Sequence, residues 1–131
     1  MNRSGIGRVV LLLGAVAGPL LAQRPDSARV RAAPDSALMT PAILDQGRKL
    51  FHGRGSCFAC HGAQLQGGPI APSLRGAKWL HIDGSYEAII HRVDEGKPGT
   101  AMVPHPGGIS EAQVLMVATY VYAVSHGLAQ P

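Results

Sequence analysis

The chain has 131 residues, a length that allows one domain, or one domain with a short extension. Hydrophobic residues make up 46% and charged residues 15%, which excludes an intrinsically disordered, highly charged chain. Large aromatic side chains are scarce, with two Phe, three Tyr and one Trp against 17 Gly and 10 Pro. So few large side chains make a poor hydrophobic core, and a bound apolar cofactor would help to fill it. Two cysteines are too few for the disulfide framework of a small secreted scaffold.

The formal net charge of +4 suggests a nucleic-acid partner, but the distribution of the charge argues against one. Five arginines lie before residue 40, in segments that we assign below to a leader and a linker. From Pro41 onward, seven Lys and Arg are balanced by six Asp and Glu, so no basic stripe remains to follow a phosphate backbone. We therefore expect no nucleic-acid partner.

Residues 1–22 are predicted to be a secretory signal peptide. The segment begins with two positive charges, at Arg3 and Arg8, and continues with a short apolar run over residues 9–17. Small residues that suit cleavage follow at Ala17 and Ala22. The apolar segment contains a proline and falls short of the roughly 20 residues that a spanning helix needs. We expect cleavage after Ala17 or Ala22 and a periplasmic or otherwise exported protein without a spanning helix. An uncleaved anchor is the alternative.

Residues 23–39 are predicted to be a flexible linker. The tetrapeptide Pro-Asp-Ser-Ala occurs at 25–28 and again at 34–37, but two copies cannot build a repeat fold, which needs several stacked units. The content of Pro, Ser, Ala and charge suits a solvated tether. Residues 40–131 then form the one predicted domain.

Three main helices are predicted in this domain, which makes it all-α. The first has Thr40 as its N-cap and Pro41 at its first position, and it ends near His52. The second runs from Ser85 to Glu95, with Gly96 at its end.

The third predicted helix is opened by a capping box of Ser110 and Gln113. It runs to about His126, where Gly127 occupies the position of a terminating glycine. Residues 114–124 are apolar except for Thr119, which predicts that this helix is covered on most sides.

The chemistry of the chain is concentrated in Cys57-Phe58-Ala59-Cys60-His61. C-x-x-C-H is the attachment signature for c-type haem. Two thiols three residues apart in a helical turn face the same way, so each can reach one of the two vinyl groups of haem. The histidine that follows can then point its imidazole at the iron.

Three other interpretations compete with haem attachment. A thioredoxin-type C-x-x-C requires a βαβ context, which the sequence does not show. A zinc site could combine the two cysteines with His81 and His91, but these histidines have nine residues between them, whereas zinc patterns space the second ligand pair by two to five. An ordinary disulfide is the third interpretation. Export favours haem, which is attached outside the bacterial cytoplasm.

From Thr40 to Ser125 the chain resembles a class I c-type cytochrome. The resemblance rests on residues of the first helix, the attachment motif, two loops and the last helix: Gly47, Phe51, Cys57, Cys60, His61, residues 72–76, residues 99–102 and Tyr120. It implies a small cytochrome c fold, with three main helices and loops wrapped round one haem held covalently by Cys57 and Cys60. It also implies that Gly47 lets Phe51 and Tyr120 pack closely where the first and last helices cross.

The resemblance implies a ligand set as well. His61 would be the proximal iron ligand and Met102 the distal one, a pair that raises the reduction potential of haem. The carbonyl of Pro72 would orient the ring of His61, and Leu74 would cover one haem face. Many relatives carry Pro directly after the methionine, whereas Val103 stands there in this chain. His105 is the competing distal ligand.

The function that this resemblance implies is single-electron transport by an exported protein, not enzymatic catalysis. With His61 and Met102 both bound, the iron would have no open position for a substrate. The expected partners are redox proteins, with a dehydrogenase as a possible donor and an oxidase as a possible acceptor. The alternative is a haem c enzyme or gas-binding sensor with a labile distal ligand.

Overall fold

In a computed structural model of the protein, residues 33–76 and 78–131 are described, and the predicted signal peptide and most of the linker lie outside them. This part of the chain forms four helices and a short 3₁₀ turn: α1 Pro41–His52, α2 Phe58–His61, α3 Tyr86–Glu95, the turn Pro106–Gly108, and α4 Glu111–Ser125. No strand occurs among the described residues, and the all-α prediction is confirmed.

The helices begin where the capping residues predict. The side-chain oxygen of Thr40 accepts a hydrogen bond from the backbone N–H of Ile43, and Ser85 caps α3 in the same way. At the start of α4, Ser110 and Gln113 form both halves of the predicted capping box. Gly96, at φ +66°, follows the last residue of α3, so the predicted stop is confirmed.

The crossing of α1 and α4 is the tightest contact between helices. A Cβ on Gly47 would collide with the backbone carbonyl oxygen of Met116 and lie 2.6 Å from the Cβ of Tyr120. Beside this point the rings of Phe51 and Tyr120 meet edge to face, with centroids 5.8 Å apart. The predicted packing at Gly47 is therefore confirmed.

Helix α4 is the centre of the core. Its residues from 117 to 124 are all buried, which confirms the prediction that it is covered on most sides. Against it, α3 contributes Tyr86, whose hydroxyl lies 3.0 Å from the hydroxyl of Thr119. Since Thr119 donates its own hydrogen to the carbonyl of Leu115 at 2.7 Å, it must accept from Tyr86. This pairing satisfies the hydroxyl of Thr119, which is fully buried in α4.

Two long loops lie between these helices: the described residues 62–76 and 78–85 after the attachment motif, and residues 96–110 before α4. Within the predicted linker, Leu38 packs against the core. Among the described residues, no helix is both long and apolar enough to cross a membrane.

Candidate haem site

The attachment motif forms the short helix α2. The backbone N–H groups of Cys60 and His61 both bond to the carbonyl of Cys57, at 3.3 and 3.0 Å. Ser56, at φ +50°, lies in the left-handed region directly before this turn. The turn brings Cys57, Cys60 and His61 to one cavity, and the two cysteines are not joined by a disulfide.

These residues line a cavity of about 450 Å³. Its walls come from α1, α3, α4 and both long loops, and they are mostly apolar: Phe51, Cys57, Cys60, His61, Pro72, Leu74, Trp79, Ile89, Val93, Met102, Val117 and Val121. A flat apolar group with two sites for thioether bonds fits such a cavity, because the walls offer hydrophobic contact and the floor offers two thiols. The residues present therefore fit haem c.

Burial sets the ionisation of the attachment residues. Desolvation raises the pKa of the Cys57 thiol to about 11, so it is protonated at neutral pH. The sulfur lies 3.6 Å from the carbonyl of Gly55, the distance of a weak S–H donor. Burial also lowers the pKa of His61, against the opposing effect of its hydrogen bond to Pro72, and so favours the neutral imidazole that binds metals.

The ring of His61 is oriented by the loop after α2. Its Nδ1 lies 2.9 Å from the carbonyl oxygen of Pro72. Since a carbonyl only accepts, Nδ1 carries the hydrogen and Nε2 keeps its lone pair. The amide of Leu74 bonds to the carbonyl of Leu65 at 2.8 Å and fixes the same loop, so that half-buried Leu74 lines the cavity.

Met102 reaches the cavity from the other long loop. Its carbonyl accepts from the amide of Lys97 at 2.8 Å, and its amide donates to the hydroxyl of Thr100 at 3.2 Å. The methionine is half-buried and packs against the core. The structure therefore brings Met102 to the same cavity as Cys57, Cys60 and His61.

His105 lies three residues further on and has other partners. Its Nδ1 is 2.8 Å from the carbonyl of Ile109, and its Nε2 is 2.8 Å from a carboxylate oxygen of Asp94. It is absent from the cavity lining, in contrast to Met102. Both ring nitrogens are thus engaged away from the cavity.

The remaining histidines form no common site. His91 pairs with Glu95 on the surface of α3, and His81 is exposed at the cavity mouth. His126 caps α4 and stacks on Tyr122. Within the described ranges, no group of three His, Cys, Asp or Glu side chains is placed to hold a metal ion, so nothing supports the zinc interpretation.

Sequence reasoning missed two features of this region. The guanidinium of Arg54 donates to the carbonyls of Gly107 and Gly108, at 3.4 and 3.1 Å, and joins the segment before the attachment motif to the base of the Met102 loop. Three exposed hydrophobic side chains surround the cavity: Ile70, Leu80 and Val103. The apolar residues in otherwise polar loops were a signal for the second feature, while the sequence carries none for the first.

An all-α fold around an apolar cavity whose floor is a C-x-x-C-H turn defines a c-type cytochrome domain. Residues 42–121 match the family model described as "Cytochrome C oxidase, cbb3-type, subunit III", and the chain belongs to this family. The predicted resemblance to c-type cytochromes is confirmed.

Relatives and solved structures agree with this assignment. The cytochrome c subunit of the cytochrome bc1 complex of Mycobacterium tuberculosis is 34% identical over 97% of this chain, and this chain spans only 44% of its length. Cytochrome c-554(548) of Halomonas halodenitrificans is 33% identical over 50% of this chain and 81% of its own. Cytochrome c6 of the diatom Phaeodactylum tricornutum superposes with a TM-score of 0.53 at 27% identity, covering 64% of this chain and 95% of its own.

Cytochrome cL of Hyphomicrobium denitrificans shares the fold, with a TM-score of 0.52 at 20% identity over 69% of this chain and 62% of its own. Family membership and the motif establish one haem c, covalently held through Cys57 and Cys60.

Proposed function

We propose that the protein is a monohaem electron carrier whose iron is ligated by His61 and Met102. One observation carries this proposal: His61, at the end of α2, and Met102, from the loop before α4, both line the cavity of the attachment cysteines, while His105 is engaged by Asp94 and Ile109. When bound, haem iron supplies one-electron chemistry by cycling between its ferrous and ferric states.

The two proposed ligands, His61 and Met102, have different roles. The hydrogen bond from Nδ1 to Pro72 leaves Nε2 of His61 as the donor atom and prevents the ring from turning. The thioether of Met102 is neutral and soft, so it favours ferrous over ferric iron and holds the potential high. With His61 and Met102 both bound to the iron, the chain's own side chains would exclude water and small substrates from it.

Electron exchange with partners is assigned to the cavity mouth. Ile70, Leu80 and Val103 expose 70%, 69% and 54% of their surface there, an apolar rim that a partner can cover. Among the described residues that line the cavity, none is Asp or Glu. A dehydrogenase as donor and an oxidase as acceptor are the partner classes that we propose.

The setting of this carrier is proposed to be the periplasm or another exported location. The support is the predicted signal peptide at residues 1–22, which lies outside the described residues, together with haem attachment itself. The bc1 relatives are named as subunits of a complex, which supports a role for this domain as part of an assembly.

Redox titration of two variants tests the ligand assignment. Met102→Ala is expected to lower the midpoint potential by on the order of 100 mV, since axial ligands set haem potentials over about 0.8 V. His105→Ala is expected to stay close to the wild-type potential. A lowered potential in His105→Ala together with an unchanged potential in Met102→Ala would assign the distal position to His105. An unchanged potential in Met102→Ala would by itself exclude the His/Met ligand assignment.

A further inference from the structure

The loop that carries Met102 is fastened at its far end by His105. The backbone amide of His105 donates to the carbonyl of Val93 at 3.1 Å, and its φ of +44° turns the chain sharply. Its side chain then bridges the end of α3, through Asp94, to the start of α4, through the carbonyl of Ile109. The side chain of His105 therefore connects the Met102 loop to both α3 and α4.

The bridge defines the protonation state of the ring. A carbonyl oxygen and a carboxylate oxygen both accept hydrogen bonds, so two such bonds at 2.8 Å require a hydrogen on each ring nitrogen. The imidazole that makes both bonds is therefore the cation, and the neutral form must give up one of them. The hydrogen bond to Ile109 and the carboxylate of Asp94 both raise the pKa of His105.

The charges around this bridge are few. Asp94 faces the ring from α3, and Glu111 adds a second negative charge from the first turn of α4. From the segment after α1, Arg54 binds the adjacent carbonyls of Gly107 and Gly108. An imidazole is the side chain type of this cluster whose ordinary pKa lies near neutral pH, so His105 is the group whose charge changes there.

We propose that His105 is a positioning residue that holds the Met102 loop closed over the haem in its cationic form and loosens it when it loses its proton. This inference rests on the proposed ligation by Met102. Because the pKa of the folded protein is raised, the stabilisation is present in full below the ordinary value of about 6.5 and is lost as the pH rises through the raised value. The side chains of His105 and Asp94 are 33% and 47% exposed, which keeps the effect small.

Azide can bind the iron of the ferric holoprotein only where the methionine has left it. The azide association constant therefore measures how often the methionine leaves the iron. From about pH 5 to pH 9, the wild-type association constant is expected to rise about two- to fivefold, the range of an exposed ion pair. His105→Asn, whose new residue tolerates a positive φ, is expected to show the high-pH constant throughout. Asp94→Asn is expected to move the rise to lower pH.

Two further variants make the result unambiguous. His91→Asn removes the other histidine–carboxylate pair at α3, to Glu95, and is expected to keep the wild-type pH profile. Met102→Ala is expected to bind azide tightly at every pH. If Met102→Ala binds tightly while His105→Asn keeps the wild-type rise, the role of His105 is wrong and the ligand assignment stands. If Met102→Ala binds azide as the wild type does, the ligand assignment is wrong, and the proposed role of His105, which rests on it, is wrong as well.

Discussion

The two sides of this domain are stabilised in different ways. On one side, α1 and α4 cross at Gly47 with backbone against backbone, and the side chains of Phe51 and Tyr120 fill the remaining space. On the other side, two long loops close around a cavity of about 450 Å³. The crossing is completed by the protein alone, whereas the loop side is completed by the cofactor. The comparison indicates that covalent attachment is part of how this chain folds.

The largest effect is expected from preventing haem attachment, for example in Cys57→Ala/Cys60→Ala. Without haem, the mostly apolar walls of the cavity would lose the hydrophobic contact that the cofactor gives them. The apoprotein is therefore expected to be largely unfolded by circular dichroism, while the holoprotein melts cooperatively. Near-identical helicity in the two forms would show that the helices do not need the cofactor.

A smaller but still large effect is expected at the helix crossing. Gly47→Ala places a Cβ against the backbone of Met116, which cannot move aside as a flexible side chain can. The holoprotein is expected to lose about 3 kcal/mol of stability in chemical denaturation, the upper end of the usual cost of overpacking. Gly68→Ala is the matched control, because its Cβ would lie 3.5 Å from its nearest neighbour, the carbonyl oxygen of Cys60, and should change stability little. Equal losses in both variants would contradict the special role of the crossing.

The smallest effect is expected from single hydroxyl groups in the core. Tyr86→Phe removes the donor to Thr119 and is expected to cost about 1 kcal/mol, since a buried oxygen loses its partner. Tyr120→Phe removes a buried hydroxyl that has no hydrogen-bond partner among the described residues, and it should leave the stability of the holoprotein nearly unchanged. A larger loss in Tyr120→Phe than in Tyr86→Phe would contradict this account of the core.

The helical side could be predicted from sequence because its determinants are local. Thr40, Ser85 and Ser110 fix helix starts through bonds to residues three positions away, and these patterns are visible in a single chain. The C-x-x-C-H motif is equally local. Only the role of Gly47 needed information from elsewhere, and the resemblance to c-type cytochromes supplied it.

The loop side could be predicted only in part, because its contacts join residues that are distant in sequence. Arg54 binds Gly108, which lies 54 positions further along the sequence, and no local pattern predicts such a contact. From the sequence, the place of His105 near Met102 makes it a competing iron ligand, whereas in the structure its partners are Asp94 and Ile109. Choosing between these roles requires knowing how the loop folds back on α3.

Carbon monoxide binding to the reduced wild-type protein tests the central claim most directly, because it asks whether the iron has an open position. With Met102 in place, we expect no rapid carbon monoxide complex in the difference spectrum, whereas Met102→Ala should form one readily. A wild-type protein that binds carbon monoxide as fast as Met102→Ala would contradict the closed, His/Met-ligated carrier and indicate a haem enzyme or gas sensor.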